Sequence, residues 1–186
     1  MKYLFQKENN SIFVSNGYSE EPITTYSGTA VDLSILPVNM RILLVTDGTV
    51  TKTLEAMFWE PVVLNLVQQN YVSGPNGTEI LERDITLEGA NTNTEFAFAR
   101  SYLNTALMPD ALVMALKSGK RGIGWLLREM SAEQYRNVVE IGYSDSLPKR
   151  DRPEGYKTSI FRTYCINIDE KCLMQITEHF PIEIYQ

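Results

Sequence analysis

The run from Glu79 to Leu103, EILERDITLEGANTNTEFAFARSYL, constrains the fold more than any other stretch of this 186-residue chain. Both halves alternate at period two, and GANTNT between them is rich in turn formers, so the run reads as two strands joined by a polar turn. In the first half Leu81, Ile85 and Leu87 share a face with Arg83, while Glu82, Asp84, Thr86 and Glu88 fall on the other. In the second, Phe96, Phe98 and Tyr102 share a face with Arg100, opposite small or weakly apolar groups. Both arginines are therefore expected to point inward. A guanidinium group keeps its proton, and a desolvated charge without a counter-ion is costly, so each must meet an anion. Two of them on neighbouring strands suggest a doubly anionic ligand.

The length fits one domain spanning residues 1–186, with 1–38 as an N-terminal extension of no clear pattern. A net charge of −6 argues against nucleic acid as a main partner, because phosphate backbones are met by basic surfaces. It leaves room for a small anion in a pocket. No apolar run approaches the ~20 residues of a membrane helix, and MKYLFQKENN lacks the apolar core of a signal peptide, so a cytoplasmic protein without membrane insertion is expected. Cys165, Cys172 and the single His179 have no metal-ligand spacing, so no metal is expected. A disulfide between the two cysteines is not expected in a reducing compartment.

Along the chain, residues up to about Leu36 read as loops with at most a short strand. Leu54, Met57 and Phe58 at helical spacing predict a helix from about Thr49 to Trp59, capped by Thr46 or Asp47 and stopped by Pro61. A strand from about Val62 to Val72 precedes the turn SGPNG and the two strands already described. Ala111, Leu112, Ala115 and Leu116 form the stripe of a short helix, and Ile123, Leu126, Leu127 and Met130 that of a second. QYRNVVEIGY is predicted as a strand with Tyr135, Val139, Ile141 and Tyr143 on one side and Arg136 and Glu140 on the other. The polar segment from Ser144 to Lys157 reads as a surface loop. TSIFRTYCINI and CLMQITEHFPIEI follow as two strands around the turn DEK. Hairpins with helices between them make the class α+β: a mostly antiparallel sheet of about six strands with short helices on one face.

On the last strand Met174, Ile176 and Phe180 share a face with Glu178, and on the preceding one Ile160, Tyr164 and Ile166 lie with Arg162. One buried arginine alone is readily explained by an ion pair, for Arg83 with Glu178 itself. Three arginines and a glutamate on apolar faces are better explained by a site, since buried ion pairs stabilise less than apolar packing does. Arginine forks suit carboxylate or phosphate, and a desolvated carboxylate is a candidate general acid or base. Gly48, Gly122 and Gly124 belong to no Walker or dinucleotide pattern and read as turn and packing residues. His179 alternates away from Glu178.

In order, TDGTVTKTLE, ERDITL, FAFARSYL, KRGIGWLL, IFRTY and ITEHFP resemble the motifs of the chorismate lyase family, in its divergent archaeal, cyanobacterial and plastid-type branch. The resemblance covers roughly Arg41 to Pro181. It implies conversion of chorismate into 4-hydroxybenzoate and pyruvate without metal or organic cofactor. It also implies that Arg83 binds a substrate carboxylate, that Arg100 faces the same pocket, that Glu178 is the essential carboxylate, and that Val50 and Ile123 are apolar lid contacts. Arg162 is a candidate for electrostatic support. Asp84 stands where the family has glutamate, outward, with no expected consequence. The small-molecule substrate would be held by a monomer or small homo-oligomer. The alternative is a non-catalytic sensor of aromatic carboxylates with the same fold, which usually travels with a basic DNA-binding domain.

Overall fold

A computed structural model of the chain describes residues 6–8, 11–13, 29–30, 33–73, 78–118, 123–124, 135–144, 158–168 and 171–186. Six long strands carry the fold: β4 (Val62–Ser73), β5 (Glu79–Gly89), β6 (Glu95–Asn104), β7 (Tyr135–Ser144), β8 (Ser159–Ile168) and β9 (Lys171–Pro181). Short strands β1 (Gln6–Glu8) and β2 (Ser11–Phe13) pair as a hairpin, and β3 (Thr29–Ala30) adds to the edge of the main sheet. The sheet order is β3-β7-β8-β9-β6-β5-β4, with every neighbouring pair antiparallel. Two three-stranded meanders, β4-β5-β6 and β7-β8-β9, therefore meet at the β6–β9 seam. This is the α+β architecture that the hairpin pattern predicts.

Helices α1 (Val38–Val45), α2 (Val50–Phe58) and α3 (Asp110–Lys117) cover one face. Helix α1 was not expected. Its sequence VNMRILLV is a short apolar run whose periodicity does not separate helix from strand, and its burial of Met40, Leu43 and Leu44 decides the outcome. Leu54 of α2 makes one apolar cluster with Leu87, Ala97, Ile141, Ile160 and Phe180 of the sheet; Leu112 and Leu116 of α3 make a second with Leu81, Leu103, Ile166 and Met174. Each fully buried leucine contributes about 1.5–3 kcal/mol. The N-cap of helix α2 is Thr49, not the expected Thr46 or Asp47; Thr46 Oγ1 instead accepts a bond from Gly48 N at 3.2 Å and shapes the α1–α2 corner. Trp59, in the left-handed conformation at φ 56°, ends the helix. The predicted second helix beyond Ile123–Gly124 and the loop from Ser144 to Lys157 lie outside the described residues.

The β5–β6 turn is tied to the end of α2. Glu60 Oε2 accepts from Asn91 N at 2.8 Å and Thr92 N at 3.2 Å, and Oε1 accepts from Thr92 Oγ1 at 2.9 Å. A Cβ on Gly89 would sit 2.5 Å from Glu60 Oε1, so a side chain there would displace the carboxylate that ties the turn. Bulges at Leu87/Glu88 and Val138/Glu140 shift strand parity at two places that matter for the site.

Across the central strands the second sheet face is buried as well, with polar side chains beside Phe98 and Phe161. Gln175 and His179 are fully buried there, Ser159 Oγ lies 3.1 Å from His179 Nδ1, and the Thr163 and Thr177 hydroxyls are 2.9 Å apart. Cys165 and Cys172 form no disulfide.

Candidate active site

Strand register selects which charged side chains share a face. Arg83 stands opposite Ser101, which stands opposite Ile176, which stands opposite Tyr164. One row along, Ile85, Ala99, Glu178, Arg162 and Ile141 follow one another across β5, β6, β9, β8 and β7. Arg83, Glu178 and Arg162 are thus on the helix-covered face, as period-two alternation within each strand predicts. Between Arg83 and Glu178 the sheet carries only Ala99 and Ser101. These small side chains leave room for a cavity of about 70 Å³.

The floor of the cavity is Ile85, Ala99, Ser101 and Ile176, and its charged walls are Arg83, Arg136 and Glu178. Val50, from the first turn of α2, and Ile123 both line it and are both buried. Arg83 is 1% exposed, and burial pulls its guanidinium below its ordinary value because the charged form loses solvation.

Glu178 is held by two neighbours. Arg162 Nε donates to its Oε2 at 2.8 Å and Tyr164 hydroxyl donates to its Oε1 at 2.9 Å. Arg162 is itself fixed by α1: its Nη1 donates to Thr46 O at 2.6 Å and Leu44 O at 3.4 Å, where the helix leaves carbonyls without intrahelical partners. The Arg162 guanidinium also lies 5.1 Å from the Tyr164 ring centroid. Burial, and then the charge of Glu178, raises the Tyr164 phenol well above the usual tyrosine range, so it stays protonated and keeps donating. A carboxylate has about four lone-pair positions, so two bound donors leave Glu178 able to accept from a third.

Arg100 lies elsewhere. It pairs with Asp84 across β5 and β6, on the face opposite Arg83, with Nε to Oδ1 and Nη2 to Oδ2 both at 2.8 Å. Glu82 Oε1 is 3.3 Å from the same Nε, and Gln68 Nε2 donates to Asp84 Oδ2 at 2.7 Å. The bidentate Asp84 bond, more than any other contact, raises the Arg100 guanidinium above its ordinary value. The expectation that Arg100 faces the same pocket is therefore corrected. Asp84 is on the face away from the cavity, as expected, where it is 3% exposed and is the partner of Arg100. Phe98 and Tyr102 share the Arg100 side, whereas Phe96 sits at the bulge and stacks on Phe58 of α2 with centroids 3.9 Å apart.

Two further lining residues were not singled out from the sequence. Tyr164 had a visible signal, two residues from Arg162 on a strand. Arg136 was expected on the side away from Ile141, but the β7 bulge between Val138 and Glu140 turns Arg136 and Val138 onto the face of Ile141. Among the described residues no three His, Cys, Asp or Glu side chains gather as a metal-binding group. No described helix is long and apolar enough to cross a membrane.

The sequence is similar to those of known proteins. The chain is 27% identical over 161 residues to the chorismate pyruvate-lyase of Mycobacterium leprae, covering 80% of this chain and 76% of that one. It is 24% identical over 164 residues to the chorismate pyruvate-lyase of Mycobacterium tuberculosis, covering 80% and 82%. Residues 44–186, which contain α2, all six long strands and every wall of the cavity, match the Rv2949c-like chorismate pyruvate-lyase family, and the chain belongs to that family.

Proposed function

We propose that this chain is a chorismate lyase that eliminates pyruvate from chorismate to give 4-hydroxybenzoate, with no metal or organic cofactor. The carrying observation is the placement of Arg83 and Glu178 on opposite sides of a small-residue floor, across the single intervening strand β6. Strands two apart are about 9–10 Å from axis to axis, a gap suited to a six-membered ring with a carboxylate at one pole and a hydroxyl at the other.

In this reading Arg83 binds the ring carboxylate through its fork. Glu178, oriented by Arg162 and Tyr164, accepts the hydroxyl at the far pole. The reaction breaks the ether bond between the ring and the enolpyruvyl group and the C–H bond at the hydroxyl-bearing carbon. The C–H electron pair becomes part of the aromatic ring, the ether oxygen becomes the pyruvate carbonyl oxygen, and the proton ends on the enolpyruvyl methylene carbon. Aromatisation drives the step. The chain's contribution is to fix the side chain over the ring and to stabilise the polarised hydroxyl. Val50 and Ile123 close over the ring and exclude water, which strengthens the polar contacts beneath.

The test is pyruvate release from chorismate at neutral pH, with the aromatic product identified by chromatography. The expected result is equimolar pyruvate and 4-hydroxybenzoate, with kcat reduced about 10²–10⁴-fold in Glu178→Gln. The 3-hydroxy isomer would correct the product. Chorismate binding without pyruvate would replace the lyase by a sensor of aromatic carboxylates.

A further inference from the structure

We infer that Arg136 is the binding residue for the second carboxylate of a dianionic substrate, the one on the enolpyruvyl side chain. The inference rests on the lyase reading of the same cavity and goes beyond it by separating substrate from product. Arg136 lines the cavity from β7, at the end away from β5 and Arg83. It is only half-buried, so it sits where the cavity meets water.

The charges of the cavity leave Arg136 for a ligand. The Arg162 guanidinium is committed to Glu178 on the sheet and to the Leu44 and Thr46 carbonyls. Arg100 is committed to Asp84 on the other face. Arg136 donates one bond, from Nη1 to the Asp47 carbonyl, and makes no ion pair with a described carboxylate. Of the five N–H donors of a guanidinium group, four have no acceptor among the described residues. With Glu178 and Arg162 offsetting one another, Arg83 and Arg136 give the cavity two formal positive charges, matching two carboxylates at its two ends.

Gly124 and Thr49 pack close beside it, both on the cavity wall. The position a Cβ would take on Gly124 lies 3.9 Å from Arg136 Nη2 and 3.3 Å from Thr49 Cγ2. The Asp47 bond also ties Arg136 to the α1–α2 corner, whose next residues Gly48, Thr49 and Val50 line the same cavity. A carboxylate bound here would thus be felt directly by the segment that carries the apolar lid contact. The product keeps one carboxylate and the substrate has two, so an arginine that holds the second one favours substrate entry without retaining the aromatic product.

The test compares Arg136→Gln with the wild type in KM for chorismate and in the inhibition constant of 4-hydroxybenzoate, with Arg136→Lys as the charge-retaining control. KM is expected to rise about tenfold, as for loss of one charge-assisted contact, while inhibition by 4-hydroxybenzoate stays within about twofold and the lysine variant recovers part of KM. A merely structural role at the α1–α2 corner would weaken both ligands alike. Equal losses, or none, overturn the inference and leave the lyase reading standing. If the wild type releases no pyruvate, the lyase reading fails. Calorimetric titration of both variants with chorismate and with 4-hydroxybenzoate then decides on Arg136 by the same selective-loss criterion.

Discussion

Arg162 and Glu178 stand directly opposite one another on β8 and β9 and are joined by a 2.8 Å bond between Nε and Oε2, with both side chains withdrawn from solvent. Breaking one half of such a pair leaves a buried charge without its counter-ion, whereas replacing both halves with apolar groups removes the desolvation cost along with the attraction. Arg162→Met is therefore expected to lose about 3–5 kcal/mol of unfolding free energy, and Arg162→Met with Glu178→Leu substantially less. Urea denaturation of the two variants checks this; a double variant no more stable than Arg162→Met would mean that the pair is not coupled.

Arg100 and Asp84 make the opposite kind of prediction, because they support the sheet from the face away from the cavity. Arg100→Met leaves Asp84 with Gln68 as its remaining side-chain donor and is expected to lower Tm by roughly 4–10 °C. Its KM for chorismate and its kcat are expected to stay within about twofold of wild type. A KM raised tenfold with Tm unchanged would return Arg100 to the substrate.

Tyr164 and Tyr185 are both raised above the ordinary tyrosine range, chiefly by burial. An acid that is harder to ionise in the folded state makes stability fall as pH rises, since above about pH 10 the unfolded chain loses protons that the folded one keeps. Below pH 9 the two groups contribute no pH dependence. The unfolding free energy should therefore decline between pH 10 and 11, less steeply in Tyr164→Phe, while absorbance at 295 nm shows the two phenols ionising only on unfolding. Their ionisation in the folded protein at pH 10 would contradict the burial described here.

The cavity depends on what is missing above β6. Ser101→Leu places an apolar side chain between Arg83 and Glu178 on a residue that is 2% exposed. It is expected to abolish binding of 4-hydroxybenzoate while the fold persists, as read by ligand-induced tyrosine fluorescence change and by far-UV circular dichroism. Undiminished binding would place the ligand elsewhere.

Much of this site was legible in the sequence because strand alternation is a local property. The period of two put Arg83 with Leu81 and Ile85, Glu178 with Ile176, and Arg162 with Tyr164 without knowledge of how the strands pair. Arg100 shows the limit of that information. Which face of β6 joins the face of Arg83 depends on register, and register places Asp84 opposite Arg100 and Ser101 opposite Arg83. The small residues that looked like the dull side of β6 are the floor of the cavity. Arg136 was hidden by a bulge, which reverses parity with no fixed sequence signature. Helix α1 was missed because eight residues of mixed apolar character carry too little periodicity, although its C-terminal carbonyls are what hold Arg162 in place.

A crystal structure of the protein with 4-hydroxybenzoate tests the central claim most directly. The account predicts the carboxylate forked by Arg83, the hydroxyl within hydrogen-bond distance of Glu178, and the ring between Ala99 below and Val50 and Ile123 above. A ligand seated against Arg100 and Asp84 on the other face of the sheet, or one that leaves Arg83 and Glu178 untouched, would contradict it.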